Sequence, residues 1–185
     1  MSEARFEPRG YLRFDLGAGR IATRDDRRHL VVPAEIVEAA GAEGTLAEAA
    51  RSWGREQGKA LAGLVPGHVL DEPPESFMTS LAHLLATLGW GRCELESWGG
   101  VLFAVVAEAP AGAGAAILGE LLAGAFEAVA GESIECVPME DDRFLLLGAE
   151  GAGEVRGWVG AGARAGEVVT RMLAGEHLRR GEGGS

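Results

Sequence analysis

The chain opens on alternation. Residues 11–15 read Tyr-Leu-Arg-Phe-Asp, and the switching of apolar and charged positions predicts a strand. Leu16-Gly-Ala-Gly19 predicts a turn, and residues 20–23 a short answering strand. His29-Leu-Val-Val32 is a third apolar piece, and Pro33 suits the first position of a helix reaching Ala40. At Thr45 the period changes. Glu48 follows three residues on, which is the spacing of a capping box. Leu46, Ala49, Ala50, Trp53, Ala60, Leu61 and Leu64 then share one helical face. Gly54 and Gly58 lie four apart in the same helix. A helical glycine costs about 1 kcal/mol against alanine, so the pair predicts a close helix crossing.

Residues 65–72 read as a loop. Pro73-Pro74 opens a helix whose apolar face is Phe77, Met78, Leu81, Leu84, Leu85 and Leu88, and Gly89 ends it. Arg92-Cys-Glu-Leu-Glu96 alternates, with Glu94 and Glu96 on the wet face. Trp98-Gly-Gly100 turns the chain into the nearly continuous apolar strand 101–107, completing a hairpin. After a loop at 108–113, Ile117, Leu118, Leu121, Leu122, Ala125, Phe126 and Val129 mark a helix closed by Gly131. Residues 133–137 and 143–147 form a second hairpin around Met139-Glu-Asp-Asp142. A final helix spans about 153–173, with Val155, Trp158, Val159, Val168, Val169 and Met172 apolar.

Two hairpins require an antiparallel sheet of four or more strands. About five helices, each with one apolar face, must cover it or one another. The expected class is α+β. At 185 residues the chain carries one core. We expect a single domain over 11–175, between a flexible N-terminus (1–10) and a disordered tail (176–185).

Composition narrows the function. The net charge of −11 opposes binding to phosphate backbones. Arg20, Arg24, Arg27 and Arg28 are interrupted by Asp25 and Asp26, and read as a solvated turn. The longest uncharged run, 76–91, holds two serines, two threonines and a histidine. It falls short of the roughly 20 apolar residues of a membrane span. No secretory pattern opens the chain, so we expect a cytoplasmic protein without membrane insertion. Cys93 and Cys136 form no disulfide framework and read as small buried hydrophobes.

Candidate chemistry is sparse. None of the serines sits on a nucleophile elbow. His29, His68, His83 and His177 are too far apart in sequence to form a metal motif, and His83 reads as a core or interface residue. Gly17-Ala-Gly19, Gly112-Ala-Gly114 and Gly160-Ala-Gly162 lack the rest of a phosphate loop. The expectation is a protein that is not an enzyme and has no cofactor and no metal.

Some segments carry a family resemblance. Gly17-Ala-Gly-Arg-Ile-Ala-Thr23, Arg28-His-Leu-Val-Val-Pro-Ala-Glu35 and Arg51-Ser-Trp-Gly-Arg-Glu-Gln-Gly58 resemble the vinyl-4-reductase-like ligand-binding domain. So do the helix 118–131, Ile134-Glu-Cys136 and Arg143-Phe144. The resemblance spans about 17–148. It implies a dimeric α/β domain sensing a small apolar molecule. The zinc that some members hold through several cysteines would have only Cys136 here. On this reading an apolar pocket is lined by Trp53, Leu81, Leu85, Phe103, Leu121 and Phe126. A second stretch, Ala82-His-Leu-Leu-Ala-Thr-Leu-Gly-Trp-Gly91 with the Gly54 and Gly58 helix, is similar to the cellulose synthase D family. That resemblance implies an oligomeric scaffold or accessory protein. Its interface would use Trp90, Trp98, Gly54 and Gly58. Both readings imply a homo-dimer or larger oligomer.

Overall fold

The computed structural model describes residues 12–15, 20–23, 26, 28–29, 46–62, 75–109, 112–140 and 142–182. The helix expected over 33–40, the loop at 65–72 and the N-terminus 1–10 lie outside the described residues. The opening strands pair as a small antiparallel sheet of β1 (Leu12–Asp15), β2 (Arg20–Thr23) and β3 (Arg28–His29). Arg13 on β1 donates to Asp26 at 2.6 Å, next to the β2–β3 connection.

The main body follows the expected order. Helices α1 (Ala47–Ala62) and α2 (Glu75–Leu88) precede the hairpin of β4 (Arg92–Trp98) and β5 (Val101–Ala107). Helix α3 (Ala113–Ala130) leads into the second hairpin, β6 (Ile134–Pro138) and β7 (Arg143–Gly148). The four strands form one antiparallel sheet in the order β4-β5-β7-β6, so the hairpins meet through β5 and β7. Helices α4 (Ala149–Gly160) and α5 (Ala165–Glu182) complete an α+β fold.

Both hairpins follow from local chemistry. The β4–β5 turn is two residues long, and Gly99 and Gly100 both take positive φ (63° and 93°), the geometry that matches strand twist. In the β6–β7 turn Asp142 takes φ 58°, and its carbonyl accepts from Val106 N at 2.9 Å, tying the turn to β5. Helix α2 ends where expected. Gly89 adopts φ 79°, its N–H bonds Ala86 O at 3.2 Å, and Trp90 N–H bonds Leu85 O at 2.9 Å. This is a Schellman cap, and it places Trp90 back against the core.

The final helix departs from expectation. The periodicity of 153–173 predicts one helix, but the chain forms two, and the first begins at Ala149. Gly162 (φ 90°) stops α4 with a second Schellman cap: Gly162 N–H bonds Val159 O at 2.9 Å and Ala163 N–H bonds Trp158 O at 3.0 Å. Helix α5 then restarts, with its first amide, Ala165 N–H, held by the Glu140 carboxylate at 2.8 Å. A carboxylate from the β6–β7 turn thus caps a helix whose own N-cap residue, Arg164, offers no acceptor side chain.

The chain length predicts one core, but the sheet divides the interior in two, with a core on each face. On the first, Cys93, Ala104, Val106, Cys136 and Phe144 pack under α1, α2 and α3. On the second, Val101, Phe103, Val137 and Leu145 pack under α4 and α5 through Val155, Ala165, Val168 and Val169. Strand β5 feeds both, which explains its unbroken apolar run.

The tightest contact is between α1 and α3. A Cβ on Gly54 would lie 2.1 Å from Leu121 O, and one on Gly58 would lie 2.5 Å from Ala125 O. From the other side, a Cβ on Gly124 would lie 2.0 Å from Arg51 O. No side chain fits there without moving a backbone. Gly54→Ala is therefore expected to lower stability by roughly 1–3 kcal/mol, the usual cost of overpacking. Gly153, inside α4 with nothing within 4 Å of an added Cβ, gives the opposite sign. Gly153→Ala is expected to raise stability by about 0.5–1 kcal/mol through helix propensity. Urea midpoints of the two variants check both signs.

Candidate functional site

Five of the six residues expected to line a pocket belong to the first core. Leu81, Leu85, Leu121 and Phe126 are buried in it, and Trp53 of α1 is half-buried at its margin. Phe77 meets Phe126 edge-on, with ring centroids 6.1 Å apart. Phe103 stands apart. It points through the other face of the sheet into the second core, beside Trp98 at 5.1 Å between centroids. The parity of β5 separates them: Ala104 and Val106 face α1 to α3, and Val101, Phe103 and Val105 face α4 and α5.

The expected interface residues are also divided. Gly54 and Gly58 are buried against α3 of the same chain, so the crossing that the spacing predicts is internal. Trp90 is half-buried as the residue after the α2 cap. Trp98 is half-buried on the second face, where the Arg143 guanidinium lies 5.1 Å from its ring centroid. Arg143 also bonds Glu96 at 3.3 Å, so Glu96 has a partner while Glu94 stays exposed beside Arg92.

The first core has no charged side chain among its buried members. Its two thiols stand on the sheet's opposite edge strands, β4 and β6, with β5 and β7 between. Burial, helped by Glu94, pushes the Cys93 thiol up to about 12. Burial also raises Cys136 well above its ordinary value, with an electrostatic contribution from Cys93 adding to it. Neither thiol is poised as a nucleophile, because the thiolate is the reactive form. Half-buried His83 lies on α2, and His68 is outside the described residues. Among the described residues no group of three or more His, Cys, Asp or Glu side chains could hold a metal, and no helix is long and apolar enough to cross a membrane.

Charge concentrates at the edge of this core, around Arg51 of α1. Its Nη1 donates to Glu120 of α3 at 3.0 Å. Its Nη2 reaches Glu127 of α3 at 2.6 Å, Ile134 O at 2.7 Å and Glu135 of β6 at 2.9 Å. Arg55 adds a bond to Glu127 at 3.2 Å, and Arg156 of α4 bonds the second oxygen of Glu135. Composition and motif reading miss this cluster. Its signal is present in the spacing: Arg51 and Arg55 are four apart on α1, and Glu120 and Glu127 are seven apart on α3. Like charges stacked on one face of a buried helix require opposite charges across from them.

The cluster gives the fold's stability a pH dependence at its acid end. At Glu127 and Glu135 burial is the largest single influence and favours the neutral form. The hydrogen bonds and charge of Arg51, with Arg55 at Glu127 and Arg156 at Glu135, together outweigh it. Both carboxylates therefore sit below their ordinary 4.5. Over that window the unfolded chain binds more protons. The stability they contribute is complete above 4.5 and is lost as pH falls below it toward the native values. The urea midpoint is expected to drop on this acid limb, and Glu127→Gln should flatten the drop. The thiols give a separate check. At about pH 8 iodoacetamide should modify neither cysteine in the native protein, and both once urea unfolds it; rapid native labelling would contradict their burial.

The fold is of a kind that a sensory domain uses. A similar solved structure is the crystal structure of the phenol-responsive sensory domain of the transcription activator PoxR with phenol. The TM-score is 0.53 at 16% identity, covering 78% of this chain and 90% of that one. No family model and no curated protein matches the chain.

Proposed function

We propose that this chain is a non-catalytic, ligand-responsive module of the vinyl-4-reductase-like type, taking a small apolar or aromatic molecule into its first core. The observation that carries this reading is the likeness to a phenol-responsive sensory domain over 90% of that domain's length. The interior agrees with it in chemistry. Leu81, Leu85, Leu121 and Phe126 offer apolar and aromatic surface under α1, with Trp53 at the margin. No charged side chain among the core's buried members repels a hydrocarbon ring. Tight binding in such a site needs apolar contact plus a few polar groups to orient the ligand, and the two buried thiols are polar atoms within this core.

Dimerisation belongs to the same reading. Its support is α2, where Ser76, Thr79 and Ala86 are exposed and no charged side chain occurs from Ser76 to Gly91. In a chain of net charge −11 this is a stretch on which two copies could meet without repulsion. A cytoplasmic setting suits the two free thiols.

Titration calorimetry with phenol, toluene and indole tests the proposal. Saturable binding at one site per chain is expected, with a thermal midpoint that climbs with ligand concentration. Leu85→Trp, which fills the interior, should weaken binding at least tenfold while circular dichroism stays native. Failure of all three compounds, and of hexanoic acid as a non-aromatic probe, to bind or to raise the midpoint would overturn it.

A further inference from the structure

The two helical layers lie on opposite faces of the sheet, yet a chain of charges joins them around its edge. Glu135 sits on β6, an edge strand with no neighbour beyond it among the described residues. One carboxylate oxygen accepts from Arg51 of α1, on the first face, at 2.9 Å. The other accepts from Arg156 of α4, on the second face. Arg51 is fixed in turn by Glu120 and Glu127 of α3 and by the carbonyl of Ile134. Arg156 follows Val155, which is buried in the second core. A shift of α1 on α3 therefore moves the guanidinium that orients Glu135, and a shift of Glu135 moves the acceptor that holds α4.

We infer that Glu135 is a two-sided electrostatic bridge coupling the seat of α1 on one face of the sheet to the seat of α4 on the other. Burial separates the Arg51–Glu135 half of this bridge from an ordinary surface pair, whereas Arg156 is half-exposed. The side chains of Arg51 and Glu135 are 17% and 15% exposed, so neither is fully compensated by water when its partner leaves. A carboxylate shared by two guanidinia also makes their effects non-additive, which is the signature of coupling. The charged groups facing Glu135 are Arg51 from α1 and Arg156 from α4. Glu127 and Glu120 of α3 stand behind Arg51, and Arg55 stands behind Glu127. The reading of the chain as ligand-responsive enters only in what would pull the bridge: a molecule entering under α1 would be felt at α4.

Amide hydrogen exchange on the full chain without ligand tests the bridge. Arg51→Gln on α1 is expected to speed exchange in residues 149–160 several-fold. Arg156→Gln on α4 should do the same to residues 47–62. Arg55→Gln, which leaves Glu135 bonded, should leave α4 unchanged. In a Glu135→Gln background the further change of Arg51 should add nothing at α4. Leu84→Ala serves as the control, since it loosens the first core from α2 and leaves the α1–α3 glycine contact and the charges in place. The inference is overturned if Leu84→Ala, matched for urea midpoint, speeds α4 as much as Arg51→Gln does, or if α4 ignores Arg51→Gln altogether. Should Arg51→Gln fail to fold, the Arg156→Gln arm decides alone, because that side chain is 49% exposed. Unchanged exchange in α1 there overturns the bridge. No ligand enters these measurements, so their failure leaves the ligand reading standing, and a failed titration leaves the bridge standing.

Discussion

The backbone contact between α1 and α3 is the constraint on which the rest of the molecule depends. Helix α3 lies on the sheet and α1 lies on α3, so the depth of their crossing sets the shape of the first core. Gly54, Gly58 and Gly124 make that depth possible, each facing a backbone atom of the other helix where a methyl group would not fit. Three helical glycines cost about 1 kcal/mol apiece in propensity. Packing offsets this through dispersion and through the burial of Leu61, Leu121 and Phe126, at roughly 1.5–3 kcal/mol per large side chain. The same closeness draws Arg51 down among three carboxylates. Desolvating a guanidinium is costly, and four acceptors offset that cost. The glycines and the charges are thus one device. The glycines bring the helices together, and the charges fix their register.

The sheet converts this local device into two compartments. Because β5 is apolar on both sides, neither face of the sheet is wet at its centre. Ala104 and Val106 serve one core, and Val101 and Phe103 the other, on strict alternation. The first core faces three helices, and the second is closed by α4 and α5. Helix α5 depends on the β6–β7 turn for its first hydrogen bond, so the second layer is tied to the sheet at the Glu140 cap as well as by packing.

Much of this was legible in the sequence, because the features concerned are local. Gly99-Gly100 names its own turn, Gly89 its helix end, and the Gly54 and Gly58 spacing its crossing, each through a conformation or a clearance that other residues meet poorly. What the sequence concealed is relational. Helical periodicity runs past Gly162 because the apolar faces of α4 and α5 both turn to the same core, and periodicity does not see a break between them. An apolar run such as 101–107 does not say which residues face which layer, so Phe103 joins a different set from Leu121 and Phe126. Glu140 and Glu135 look like ordinary solvated acids, since their partners, Ala165, Arg51 and Arg156, lie 21 to 84 positions away.

That the charge chain runs around the sheet follows from the two compartments. A carboxylate on β5 or β7 pointing to either face near the sheet centre would sit among apolar side chains, at a desolvation cost of several kcal/mol. At an edge strand, water and a second layer of helices are both within reach. The two edges have used this freedom differently. On β4, Glu94 meets Arg92 of its own strand with both side chains largely exposed (65% and 73%), so solvent screens the pair and it ties nothing together. On β6, Glu135 is 15% exposed and reaches helices on both faces. The difference is what lies over each edge. Helix α3 and the close-set α1 bring Arg51 to β6 from above, and α4 packs on the same strand from below. The crossing that the glycines permit is therefore also what makes an edge carboxylate a link between the two cores.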